Sequence, residues 1–223
     1  MSQRNPLTKW WRKRQQRRRF QNDSREGIFE WIYQSNKWGG AESRSGKGSD
    51  TTQAGQVTAH LPELWQQLQV TTILDLPCGD MNWMSSLDLS RYDYTGADIV
   101  PTLIENNRQK FPQHTFLQLD ICQDPLPAAD FLLCRDLFVH LSFDDISLAL
   151  NNIRKGSVKY LCCTTFTQVE QNRDKLTGNH RRLNMCLPPF NWPEPELLLT
   201  DGAIGETGRQ GKSLGLWRVS EIQ

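Results

Sequence analysis

Four short, mostly apolar runs each end on an acid: residues 73–75 on Asp75, 94–98 on Asp98, 116–120 on Asp120, and 131–136 on Asp136 by way of Arg135. Acids just past apolar runs suit ligand recognition, because a carboxylate accepts hydrogen bonds from hydroxyl, amino and ammonium groups. A nucleoside would use several of them. Asp98, 23 residues beyond Asp75, has the spacing of an acid that accepts both ribose hydroxyls. Asp120 suits the amino hydrogen of an adenine that Ile99 and Ile121 would sandwich. Gly79, in the loop with Pro77 and Cys78, lets backbone approach the ligand, and Asp75 would orient that loop or a bound ammonium. Asp136 and His140 are four residues apart, which on a helix puts both on one face as an acid and base pair for a hydroxyl acceptor. Plainer readings stand beside this one: an ion pair between Asp136 and Arg135, and a helix-end His140 bonded to a backbone carbonyl.

These acids meet only if the runs are parallel strands of one sheet, whose ligand crevice lies beyond the carboxyl ends of the strands. Strands are expected at 72–76, 94–97, 114–118, 131–134 and 159–164. Between them, helices are expected from Leu61, opened by Pro62, around 81–87, at 102–110 and at 143–155, the last with Ser142 and Asp145 as a capping box and Gly156 behind it. After Phe166 the alternation stops, and runs at 196–200 and 214–219 would pair as an antiparallel hairpin at the sheet edge. The fold class is therefore α/β: a Rossmann-like, doubly wound, mostly parallel sheet with an antiparallel edge hairpin.

At 223 residues the chain suits one domain with an N-terminal extension. Residues 1–20 carry Arg4, Lys9, Arg12, Lys13, Arg14, Arg17, Arg18 and Arg19 with no acid, interleaved with Trp10, Trp11 and Phe20, although the whole chain has a net charge of only +1. The expected division is a basic tail at 1–22, a helix plus Gly/Ser-rich lid segment at 23–56, with the helix at 27–34, and the main domain at 57–223. The tail reads either as a solvated arm or as an attachment to an anionic partner, RNA or a membrane surface. No run nears the roughly 20 apolar residues of a membrane span, so a cytoplasmic location is expected. Six cysteines without a CxxC pair predict neither a disulfide framework nor a metal site.

The segment Ile73, Leu74, Asp75, Leu76, Pro77, Cys78, Gly79, Asp80, joined with Asp98 and Asp120, resembles the first motif and the following strand-end acids of class I S-adenosylmethionine-dependent methyltransferases, over about residues 57–220. Pro77 and Met81 stand where the usual motif has its outer glycines. The stretch 32–52, including Trp38, is similar to a region preceding this domain in a little-characterised bacterial subgroup, which implies a lid or substrate-facing segment. The resemblance implies S-adenosylmethionine as cofactor, S-adenosylhomocysteine as product and no metal. Trp38, Arg135 and Arg182 are candidates to face the acceptor. Arg135, Asp136, Leu137 and Phe138 stand where many amino-methylating nucleic-acid enzymes carry Asn or Asp, Pro, Pro, aromatic, which favours an oxygen of a small molecule or saccharide. The alternatives are an RNA methyltransferase anchored by the basic arm and a non-catalytic binding protein on the same fold. No GxGxxG follows the first strand, which disfavours a nicotinamide-dependent oxidoreductase.

Overall fold

The computed structural model describes residues 6–205 and 211–222. Arg4 of the basic arm lies outside them, as do the side chains of Lys9 and Arg12. Five helices, α1 (Pro6–Asn22), α2 (Arg25–Gln34), α3 (Gly55–Gln67), α4 (Pro101–Lys110) and α5 (Phe143–Lys155), flank seven strands. The strands are β1 (Thr72–Asp75), β2 (Asp93–Asp98), β3 (Thr115–Gln118), β4 (Ala129–Cys134), β5 (Val158–Phe166), β6 (Leu197–Thr200) and β7 (Lys212–Arg218). Their order in the sheet is β3-β2-β1-β4-β5-β7-β6. Pairing is parallel from β3 to β5, while β7 runs antiparallel to both β5 and β6. The expected mostly parallel sheet with an antiparallel edge is thus found, and the order reverses between β1 and β4, where such sheets open their crevice.

Burial explains the central strands. Phe131, Leu132, Leu133 and Cys134 of β4 are all buried, a continuous apolar run of the kind parallel strands covered on both faces require. Helix α5 begins where the capping pattern indicates, with the Ser142 side chain accepting from the Asp145 N–H, and its buried stripe is Ile146, Ala149, Leu150 and Ile153.

Two local expectations are corrected, and one stretch given no element is found to be helical. Helix α3 starts at Gly55, and Pro62 lies inside it instead of opening it. An interior proline costs about 3 kcal/mol; burying Val57, Leu61, Leu64 and Trp65 at about 1.5–3 kcal/mol each outweighs that. The helix expected around 81–87 shrinks to a 3-10 turn, Met84–Ser86, because Met81 takes a left-handed φ of 61° that breaks helical progression. The basic stretch at 6–22 is helical, anchored by Phe20, which is buried beside Ile28 and Gly178.

Candidate active site

At the carboxyl ends of β1, β2 and β4, the loops converge on a cavity of about 100 Å³. Asp75, Pro77, Cys78, Gly79, Asp98 and Ile99 line it from the sheet side, with Arg135, Asp136 and His140 from the segment after β4. Phe29 and Tyr33 of α2 and Trp38, Arg44, Ser45 and Ser49 of the following loop close it from above. A narrow neighbouring hollow shares Phe29, Pro77, Ile99 and Leu137 with the cavity and contains Asp120 and Ile121. The expected cofactor residues therefore fall in this cavity and in the hollow beside it. Of the acceptor candidates, Trp38 and Arg135 line it, whereas Arg182 is exposed and is not among its walls.

The glycine loop keeps its shape with a single glycine. Gly79 (φ 55°) and Met81 (φ 61°) both take left-handed backbone, so Met81 adopts the conformation the missing glycine would supply. Its side chain is buried, with Sδ 2.9 Å from the Tyr94 hydroxyl, and this packing offsets the backbone strain. A Cβ on Gly79 would stand 2.6 Å from the Ser45 Oγ, so only hydrogen fits beneath the covering loop.

That covering loop is latched to the glycine loop. The Ser43 hydroxyl and the Arg44 N–H donate to Asp80 (2.8 and 3.1 Å), the Asp80 N–H donates to Ser45 Oγ (3.2 Å), and the Asn82 amide donates to the Ser49 carbonyl (2.9 Å). The Arg135 guanidinium holds the Gly48 carbonyl at 2.8 Å.

Electrostatics separate the acids. Burial pushes the Asp98 carboxyl up to about 6, opposed by the N–H groups of Val100 and Gly79 that donate to its two oxygens at 3.1 and 3.2 Å. Burial likewise raises Asp75 to about 7, although the Tyr94 hydroxyl donates to it at 2.8 Å. Both of the Asp120 oxygens are engaged, one by the Arg25 Nε of α2 (2.8 Å) and one by the Cys122 N–H (3.0 Å). Burial also opposes ionisation of Asp136, yet the Lys212 ammonium at 2.7 Å and the Arg135 guanidinium at 3.8 Å hold it well below the ordinary carboxylate range. Arg135 is itself clamped by two hydrogen bonds to Asp201 (2.7 and 3.0 Å), and Lys212 bridges to the same acid at 2.9 Å. The four charges form a neutral quartet, with Arg135 and Asp201 buried and Asp136 and Lys212 half-buried.

Asp136 and His140 do come near each other, but not through a helix. Asp136 takes a left-handed φ of 57°, and a 3-10 turn covers Phe138–His140. His140 stacks against Trp38 with ring centroids 4.5 Å apart and stands 5.4 Å from His180. Burial and the His180 ring push it down to about 3, so it is neutral, and its Nδ1 is buried without a hydrogen-bond partner. Sequence reasoning missed Arg25, Arg44, Asp201 and Lys212. Among the described residues, no group of three or more His, Cys, Asp or Glu is arranged to hold a metal ion, and no helix is long and apolar enough to cross a membrane.

A crevice at the β1/β4 reversal, walled by strand-end acids and one tight glycine loop, is the place where a Rossmann-like sheet takes its ligand. Residues 73–156 match the family described as a methyltransferase domain. No curated protein is similar in sequence. Among solved structures, the N-methyltransferase NodS from Bradyrhizobium japonicum WM9, in complex with S-adenosyl-L-homocysteine, is 16% identical over 84% of this chain and 97% of that one, with a TM-score of 0.57. The methyltransferase domain of bacterial CtHen1 is 11% identical over 74% of this chain and 99% of its own, with a TM-score of 0.55. The chain spans about half the length of the PH0226 protein from Pyrococcus horikoshii OT3, with 18% identity over 49% of this chain and 56% of that one, and a TM-score of 0.42. Residues 73–156 are thus similar to a methyltransferase domain, and the chain shares its fold with NodS and CtHen1.

Proposed function

We propose that the protein transfers a methyl group from S-adenosylmethionine to an oxygen of a small molecule or saccharide. Asp98 carries the cofactor reading. It is a buried carboxyl at the end of β2 whose oxygens accept the Val100 and Gly79 N–H groups, with the Ile99 N–H also directed at it, and its remaining lone pairs can accept a ribose hydroxyl. The hydrogen-only space at Gly79 lets Ser45 of the covering loop seat directly on the cavity-lining glycine loop, and Ile99 and Phe29, common to the cavity and the hollow, give a base its apolar walls. Asp120 and Ile121 would border the adenine, and Asp75, Pro77 and Cys78 the loop side of the cofactor. When bound, S-adenosylmethionine supplies an electrophilic methyl group on a sulfonium sulfur.

His140 supports the acceptor reading. Its ring hydrogen-bonds the Asn179 backbone, and its unpartnered Nδ1 is an unmet acceptor in a residue that lines the cavity. A neutral imidazole so held accepts a hydrogen bond from a hydroxyl acceptor and orients its oxygen, and with its basicity this low it takes the proton only once methyl transfer has made that oxygen strongly acidic. Asp136 remains ionised beside it and stabilises the imidazolium, its own basicity spent on Lys212. Trp38 and Arg135 complete the acceptor side, and the loop bearing Trp38 and Ser45 excludes water.

Calorimetric titration of S-adenosylhomocysteine into wild type and Asp98→Ala tests the cofactor assignment. The variant should bind about 1–3 kcal/mol more weakly through lost charge-assisted hydrogen bonds. Equal affinities would refute it.

A further inference from the structure

Away from the cleft, α1 and the 175–179 loop enclose a groove of about 450 Å³. Lys13 and Arg17 line one wall and Lys175 the other, and among the described residues no carboxylate lines it. The neighbouring acid, Asp174, instead accepts the N–H groups of Phe143 and Lys175. Lys13 and Arg17 lie one helical turn apart, about 6 Å along the axis. The Lys175 ammonium is held by the His180 carbonyl at 2.9 Å, so the opposite wall presents its charge from a fixed position.

Beyond the groove, Trp10 and Trp11 are 52% and 54% exposed, packed edge to face with centroids 5.2 Å apart. The Arg14 guanidinium lies 5.3 and 5.7 Å from their ring centroids. Two large aromatic surfaces left in water beside a row of cations are costly unless a partner covers them.

We propose that this groove and the outer face of α1 bind a single-stranded polynucleotide, with Lys13, Arg17 and Lys175 on its phosphates and Trp10 and Trp11 stacking on its bases. Cations give affinity for any phosphate chain; exposed indoles select unpaired bases, whose faces a duplex hides. A lipid surface fits less well. Between Trp11 and the core-facing Phe20, every residue is basic or glutamine, so the helix has no continuous apolar stripe to bury in a bilayer. The surface is separate from the cofactor cleft, and its test does not depend on methyl transfer.

The experiment is fluorescence anisotropy of a labelled single strand of about 20 nucleotides with the full chain across a salt series, alongside the matching duplex and anionic phosphatidylserine vesicles. Wild type should bind the single strand in preference to both. In Lys13→Gln/Arg17→Gln, the slope of log K against log salt should become shallower by about 1.4, the effect of two lost contacts on a single strand. Trp10→Ala/Trp11→Ala should erase the preference for single strand over duplex. Melting curves establish that the variants, all at exposed positions, stay folded. No strand binding by wild type, an unchanged salt slope in the Gln variant, or tighter binding to vesicles than to the strand would overturn the proposal.

Discussion

Asp98 ties cofactor recognition to stability. Its carboxyl lies near 3.8 when unperturbed and is raised to about 6 in the folded protein, so the native state binds the proton more tightly. With a raised pKa, folding loses stability as pH climbs from about 4 through 6, because the buried group must ionise in the native state. Asp98→Asn removes that ionisation. Its melting temperature relative to wild type should rise from about pH 4 through 6 and level off above about 7, while its affinity for S-adenosylhomocysteine falls; a constant difference between about pH 4 and 7 would contradict the burial argument. His140 leads to a different expectation. Held down to about 3, it is already neutral at pH 5, so the pH-rate profile should lack a limb near the ordinary histidine value. His140→Ala should lower turnover by about 10²- to 10⁴-fold with cofactor affinity retained. A limb near 6.5 that disappears in the variant would show that the imidazole titrates freely. Asp75, Asp98 and Asp120 were legible because a parallel sheet brings its strand-end loops to one side, and strands can be read locally. Lys212 and Asp201 were not, because the contacts that give them meaning span 76 and 66 residues, and no local pattern encodes such a pairing.

Between elements, the Arg135, Asp136, Asp201, Lys212 quartet fastens the segment after β4 to the residue following β6 and the first residue of β7, and through Gly48 to the covering loop. The side chains of Arg135 and Asp201 are almost wholly buried. Removing one partner of such a pair strands the other charge, which costs about 3–5 kcal/mol. Asp201→Ala should lose that much in urea unfolding at pH 7, and a loss below 1 kcal/mol would mean that Arg135 finds water or a new partner. The covering loop shows where element prediction stopped. Its Gly and Ser content indicated a lid, but its attachment to Asp80 and Asn82 rests on hydrogen bonds over 30 to 40 residues that composition does not encode. The segment 81–87 failed for a local reason: its apolar residues have helical spacing, but the demand for left-handed backbone at Met81 prevails.

At the scale of the molecule, the edge strands complete the sheet and the site together. Leu214, Leu216 and Trp217 of β7 are buried, and β7 covers the flank of β5 that would otherwise be open. A chain cut after residue 196 would expose that flank and lose Asp201 and Lys212, so it should scatter light and melt without a cooperative transition. A sharp two-state melt would show that the five parallel strands suffice. The reversed direction of β7 has a practical corollary. Lys212 begins the strand beside the acids of the cleft, and Arg218 ends it at the opposite pole, level with Tyr160 early in β5. A biotin handle or sensor-chip linkage attached beyond Arg218 would therefore tether the molecule by its far end and leave the cleft open to solution.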